Sequence, residues 1–168
     1  MISKIGQGSF GVVYLAIDLR NKLKHVAVKT EPIVSTKPLQ LVGEIRTLSV
    51  LMNESNVDIT VPQAGFPKLL MHGVSAKDDI IYAVIDLLGP SLEDLFRVCG
   101  KRFSLKTTLM IWYQILERME SMHDRELMHA DLKPENLLMG LKERSNIIHV
   151  IDFGLTTSVT DPKSGQHI

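Results

Sequence analysis

The densest run of reactive side chains is His129-Ala130-Asp131-Leu132-Lys133-Pro134-Glu135-Asn136, in which four residues separate Asp131 from Asn136. A carboxylate, an ammonium and a carboxamide this close together suit one kind of step. The carboxylate orients an incoming hydroxyl and accepts its proton, the lysine offsets charge on a transferred phosphoryl group, and the amide oxygen holds a metal ion. Sixteen residues after Asn136, Asp152-Phe153-Gly154 supplies a carboxylate as the metal's second ligand. Near the start, Gly6-Gln7-Gly8-Ser9-Phe10-Gly11-Val12-Val13 fits G-x-G-x-x-G-x-V, where missing side chains let backbone amides approach phosphate oxygens. Eighteen residues after Gly11, Val26-Ala27-Val28-Lys29 ends a strand-like run on an ammonium that can reach a pair of phosphates. Such a lysine needs a carboxylate to hold it, and Glu44 is the natural candidate.

Taken singly, each signal has a plain reading. The glycines could open a dinucleotide-binding βαβ unit or form a hairpin turn without function, although the first would require a helix to follow them. Here a β-branched strand follows. Lys29 and Glu44 could be ordinary surface residues, and Asp-Phe-Gly could be a turn. The four signals in this order favour phosphoryl transfer from a nucleotide.

The elements that must position these groups follow from periodicity. Val12-Val13-Tyr14-Leu15-Ala16-Ile17 and Val26-Ala27-Val28 read as a hairpin around Arg20-Asn21-Lys22, preceded by a glycine loop. Pro38 opens a helical stretch with Leu39, Val42, Ile45, Leu48 and Leu51/Met52 on its apolar stripe, leaving Glu44 and Arg46 off it. Residues 53–65 read as a loop, followed by strands over 68–71 and 80–85 joined by the turn-like Ser75-Ala76-Lys77-Asp78-Asp79. From Gly89-Pro90 the period changes to about 3.6. Ser91-Leu92-Glu93-Asp94 has the hydroxyl and carboxylate of a capping box. A longer helix is predicted from 104 to about 125, with Leu105, Leu109, Trp112, Ile115/Leu116, Met119 and Met122 facing the core. Ile147-Ile148-His149-Val150-Ile151 reads as a buried strand. The order is a strand-rich half, a hinge near residues 86–90, then a helix-rich half, which is an α+β arrangement.

Bulk composition is consistent with a packed domain. The 168 residues are 45% hydrophobic and 23% charged, and 19 basic side chains balance 19 acidic ones. Without an overall field, nucleic acid and anionic membrane are not expected partners. The single cysteine, Cys99, excludes an internal disulfide and is expected to be a small buried hydrophobe in a reducing compartment. The six histidines lack the spacing of a zinc site. With no signal-like segment at Met1, and apolar runs far below the roughly 20 residues of a membrane span, the chain is expected to be soluble and intracellular, in the cytoplasm or nucleus.

With these motifs in order, the chain resembles the protein kinase superfamily, and within it the casein kinase 1 family. The closer likeness rests on Leu87-Leu88-Gly89-Pro90-Ser91-Leu92-Glu93-Asp94-Leu95-Phe96, Phe103-Ser104-Leu105-Lys106-Thr107, Asn136-Leu137-Leu138-Met139-Gly140 and Gln166-His167-Ile168. The tau-tubulin kinases are a weaker fit at Gly-Pro-Ser-Leu-Glu-Asp. The resemblance implies a protein-kinase-like two-lobe fold, with a small β-rich lobe over residues 1–86 and a hinge and partial helical lobe over 87–168. It implies ATP-dependent phosphorylation of protein serine or threonine with Mg2+, on acidic or already phosphorylated substrates. Ile5, Gly6, Gly8, Gly11, Val13 and Ala27 would enclose the nucleotide. Lys29, held by Glu44, would bind its α- and β-phosphates. Ile85 would take the gatekeeper position, and the backbone of Asp86 to Leu88 would bond the adenine edge. Asp131 would be the catalytic base, Lys133 would contact the γ-phosphate, and Asn136 and Asp152 would hold the metal.

Three departures stand out. Ala130 occupies the place of an arginine that in many kinases receives a phosphate from the activation segment, so control through that arginine is not expected. The loop over 53–66 is longer than is usual in the family. Set against the family pattern, the chain would end within the activation segment and begin inside the first strand. A nucleotide-binding pseudokinase, an interaction module or an inactive fragment is therefore the alternative expectation, with the apolar face of the 104 to 125 helix short of part of its partner.

Overall fold

The computed structural model describes residues 1–8, 11–21, 24–34, 38–52 and 65–160. The expected loop over 53–64, Lys22 of the first turn, Ser9 and Phe10 of the glycine motif and the Gln166-His167-Ile168 tail lie outside the described residues.

Five antiparallel strands form the first layer: β1 (Ser3–Gln7), β2 (Val12–Asp18), β3 (Lys24–Pro32), β4 (Leu69–Ser75) and β5 (Ile80–Asp86), in the order β1-β2-β3-β5-β4. The glycine motif is thus part of a hairpin, because Gly6 lies within β1 opposite Val13, and the Gly8 amide donates to the Gly11 carbonyl at 3.0 Å. Gly11 is required by packing as well. A Cβ there would stand 2.1 Å from the Thr30 carbonyl oxygen. Register sets the functional face of β3. With side chains alternating, Ala27, Lys29 and Glu31 share one face, and Lys29 pairs with Val13 on one side and Ala83 on the other. The opposite face buries Val26 with Ala16 and Val84. The turn before β5 ends on Asp79 at φ 52°, a left-handed position that Asp tolerates.

Helix α1 (Gln40–Met52) packs beside this sheet through Leu41 and Ile45, against Ile81 and Ala83. Its buried face is centred on Leu41, Glu44, Ile45, Leu48 and Leu51. Sequence periodicity placed Val42 on this face and Glu44 off it; the reverse holds, and Val42 is exposed. At about 100° per residue, Val42 points away from the arc defined by Leu41, Ile45 and Leu48. Glu44 falls between Leu48 and Leu51 on the buried side, where its carboxylate meets the Lys29 ammonium.

The second layer comprises α2 (Leu92–Val98), α3 (Leu105–His123), β6 (Leu127–Met128), β7 (Leu137–Met139), β8 (Ile148–Val150) and β9 (Thr157–Ser158), with single 3-10 turns at Pro134–Asn136 and Lys142–Arg144. The capping box forms as expected. Ser91 Oγ accepts from the Asp94 amide at 3.1 Å, and the Ser91 amide donates to Asp94 Oδ2 at 3.1 Å. Ser104 caps α3 in the same way through the Thr107 amide. Cys99 is exposed rather than buried, since it closes a short surface helix just before Gly100 turns at φ 66°.

The expected core stripe of α3 is only half right. Ile115 and Met122 are buried, whereas Leu105, Leu109, Trp112 and Leu116 are exposed. The helix is apolar round more than one face. Packing selects the arc of Ile111, Ile115, Arg118 and Met122, about a quarter to a third of a turn from the arc of Leu105, Leu109 and Leu116. The main core then joins both layers: Leu48 and Leu51 of α1 meet Phe66, Leu92, Ile115, Met122, Leu137, Ile148, Val150 and Phe153. Phe153 is 1% exposed and lies against Phe66 and His129, so the Asp-Phe-Gly turn is built into the core rather than laid over it.

Candidate active site

A cleft of ≈ 900 Å³ opens between the strands of the first layer and the loops of the second. Ile5, Gly6, Gly8, Gly11, Val13 and Ala27 line it from β1, β2 and β3, and Ile85, Asp86 and Leu88 line its connecting edge. Lys29 and Glu44 lie on the same wall. Asp131, Lys133, Asn136 and Asp152 come from the opposite layer, so the residues singled out by type and spacing and those the resemblance implies line one cavity.

Lys29 is the centre of charge. Its Nζ lies 2.5 Å from Glu44 Oε2 and 3.1 Å from Asp152 Oδ1. Burial alone would lower the lysine pKa, but the two carboxylates and their hydrogen bonds overcome it and hold Lys29 above its ordinary value. For Glu44 burial prevails over the pull of Lys29, and the carboxyl titrates above its usual range. The cation is the firmer member of the pair, because one ammonium faces two carboxylates.

Across the cleft, the catalytic-loop candidates are organised by backbone geometry and one buried histidine. Ala130 adopts φ 62° and Asp152 φ 64°, both in the left-handed region that non-glycine residues seldom use. His129 is 2% exposed. Its Nδ1 accepts from the Asp131 amide at 3.2 Å, which leaves Nε2 to donate to the Ile151 carbonyl at 3.0 Å. The Ile151 amide donates in turn to the Asn136 carbonyl at 2.9 Å. These bonds tie the loop of Asp131 to the strand end that delivers Asp152. The importance of His129 was not apparent from the sequence, where it reads only as the first letter of the motif.

Asp131 accepts from Lys133 Nζ at 2.7 Å and from Asn136 Nδ2 at 3.1 Å. The hydrogen bond from Lys133 holds the Asp131 carboxyl below the usual aspartate range, and the same bond raises Lys133. Asn136 gives its amide hydrogens to the Asp131 carbonyl, at 2.9 Å, and to its carboxylate, which leaves its carbonyl oxygen as a metal donor. That oxygen, the Asp152 carboxylate and the phosphate oxygens of a nucleotide form the hard set that Mg2+ prefers, so the residues present fit the ion.

At the connecting edge the Asp86 side chain is buried and bonded by Lys24 Nζ and Arg144 Nη2, each at 3.1 Å. Burial would raise its pKa, but the two cations outweigh it and lower the carboxyl. The Asp86 carboxylate is thus taken up within the chain. The Asp86 amide donates to the Lys68 carbonyl at 3.1 Å and the Gly89 amide to the Met139 carbonyl at 2.8 Å, pinning the chain on both sides of Leu88. Sequence reasoning missed Glu31, Gln40, Leu138 and Ile151, which also line the cleft. For Glu31 a signal existed: it lies two residues beyond Lys29 and so on the same strand face.

An antiparallel five-stranded sheet with one helix is joined by a pinned connection to a layer that carries the Asp131 loop and the Asp-Phe-Gly turn, with the cleft between the two. The chain matches the protein kinase domain across residues 1–168. It is 42% identical over 167 residues to casein kinase I homolog 2 of Schizosaccharomyces pombe, covering 98% of this chain and 35% of that protein. It is 41% identical over 167 residues to casein kinase I homolog RAG8 of Kluyveromyces lactis, covering 98% of this chain and 29% of that protein. The chain therefore belongs to the protein kinase family, on its casein kinase 1 branch. It spans about a third of the length of these curated relatives.

Proposed function

We propose that this chain provides the ATP site and the catalytic groups for phosphorylation of serine or threonine hydroxyls in proteins. The observation that carries the proposal is the placement of Lys29 between Glu44 and Asp152, facing Asp131, Lys133 and Asn136 within one cleft. Glu44 holds the Lys29 ammonium where it binds the α- and β-phosphates of ATP, which enters as substrate between Ile5, Val13 and Ala27. Asn136 and Asp152 would hold the Mg2+ that arrives with the nucleotide, which would supply neutralisation of phosphate charge. Asp131, kept ionised by Lys133, orients the substrate hydroxyl and accepts its proton. Lys133 can turn its ammonium towards the γ-phosphate as that charge develops. The same reading extends to acidic or already phosphorylated protein substrates and to an intracellular setting, in the cytoplasm or nucleus.

The test is phosphate transfer from labelled Mg-ATP to an acidic protein such as casein, comparing the intact protein with Lys29→Ala and Asp131→Asn. Transfer should be lost in both variants. Equal signal from all three would sink the proposal. A Mg-ATP-induced rise in melting temperature without transfer would instead assign a nucleotide-binding pseudokinase.

A further inference from the structure

Helix α1 carries Glu44, yet among the described residues it contains no device of its own to fix its start. It has no acidic residue in its first turn, and the residue before Gln40 is Leu39, which offers no side-chain acceptor. The cap comes from β3 instead. Glu31 Oε1 accepts from the Gln40 amide at 3.2 Å and Glu31 Oε2 from the Leu41 amide at 2.7 Å. Glu31 is buried, so both its oxygens are committed to the helix. With Lys29 holding Glu44 one turn further on, β3 grips α1 at two points from one strand face.

The gripped helix then reaches Phe153 and Gly154 of the Asp-Phe-Gly turn. The Gln40 side chain stands over Gly154, where an added Cβ would meet Gln40 Oε1 at 3.0 Å. Leu48 and Leu51 of α1 share a core cluster with Phe153, and Lys29, which holds Glu44, also bonds Asp152. Asp152 needs such surroundings, because its left-handed backbone persists only where neighbours over-determine it.

We infer that Glu31 is a positioning residue: it seats the first turn of α1 against the Asp-Phe-Gly turn and thereby fixes Asp152 for the metal-bound nucleotide. Its consequence for the nucleotide rests on the function proposed above, whereas its consequence for the backbone does not.

Two measurements on the intact protein test it. Hydrogen exchange without nucleotide should show the amides of 40–43 and of 153–156 opening about tenfold faster in Glu31→Ala, with β2 and β3 unchanged. Glu31→Gln keeps the shape and one acceptor oxygen, and should fall between the two. In binding, Glu31→Ala should retain the adenosine affinity of the wild type and weaken Mg-ATP about tenfold, a split that general loss of stability does not produce. Faster exchange confined to 40–43 would reduce Glu31 to a helix cap and overturn the inference, as would equal weakening of adenosine and Mg-ATP. A wild type that binds neither ligand would refute the nucleotide site itself, and exchange at 153–156 would still decide for or against Glu31.

Discussion

Lys29 Nζ and Asp152 Oδ1 are 3.1 Å apart, so the ammonium assigned to the phosphates already holds the carboxylate assigned to the metal. The cation between Glu44 and Asp152 offsets one of their two negative charges. Replacing Lys29 with Ala leaves two carboxylates facing one another, one of them buried. Turnover of a casein-type substrate is expected to fall on the order of a hundredfold or more, the usual size for loss of one electrostatic partner at a reacting phosphate. A matched Lys29→Arg variant should recover little, because the planar guanidinium cannot occupy the same point between two carboxylates. Initial rates at saturating Mg-ATP check both statements.

Lys133 is expected to govern the titration of Asp131. The carboxyl is held low chiefly by the hydrogen bond from Lys133. It therefore remains ionised as pH falls through the ordinary aspartate value of about 3.9. In Lys133→Met that bond is gone and the pKa should rise towards the ordinary value. Carbon-13 NMR of the Asp131 carboxyl across an acid titration reads the midpoint directly; an unmoved midpoint would show that Lys133 does not set it.

Much of this site was legible in the sequence because phosphoryl chemistry fixes both residue type and spacing. Asp131, Lys133 and Asn136 fall within one turn and its approach, so their local order already implies proximity. Lys29 and Glu44 were legible only as a pair in order, since nothing local says that a glutamate on a helix faces inward. What stayed hidden depends on contacts between distant segments. The exposed outer arc of α3 is as apolar as its buried arc, so periodicity alone could not choose between Leu109 and Ile111. The role of Glu31 is invisible until the chain folds back to bring the amides of Gln40 and Leu41 onto it. The exposure of Cys99 follows from where α2 stops, which residue type does not reveal.

Asp86 should make stability depend on pH. Its carboxyl is held below its ordinary value by Lys24 and Arg144, against the opposing effect of burial. A depressed carboxylate contributes stability above its unfolded pKa and loses that contribution as pH falls through the folded value. Both cations are partly exposed and can return to water, so Asp86→Asn should cost only about 1 to 2 kcal/mol at pH 7. Urea unfolding at pH 7 and at successively lower pH below the ordinary aspartate value of about 3.9 should show the gap between wild type and variant closing in acid. A gap that is unchanged at low pH would mean that the ion pairs are not its source.

The glycines of the first hairpin separate a folding requirement from a binding one. At Gly11 an added Cβ would stand 2.1 Å from the Thr30 carbonyl oxygen, and backbone cannot yield as a flexible side chain can. Gly11→Ala should therefore destabilise the protein by about 1 to 3 kcal/mol through overpacking, whether or not nucleotide is present. At Gly8 no described atom lies within 4 Å of the added carbon. Gly8→Ala should unfold at nearly the wild-type temperature, yet bind Mg-ATP more weakly, because the methyl group would project into space that phosphate oxygens need beside the Gly8 amide. Thermal melts with and without Mg-ATP separate the cases. For Gly11→Ala the apo melt falls and the nucleotide-induced rise survives; for Gly8→Ala the apo melt holds and the rise shrinks. The opposite pattern would move the phosphate contact from Gly8 to the other end of the hairpin.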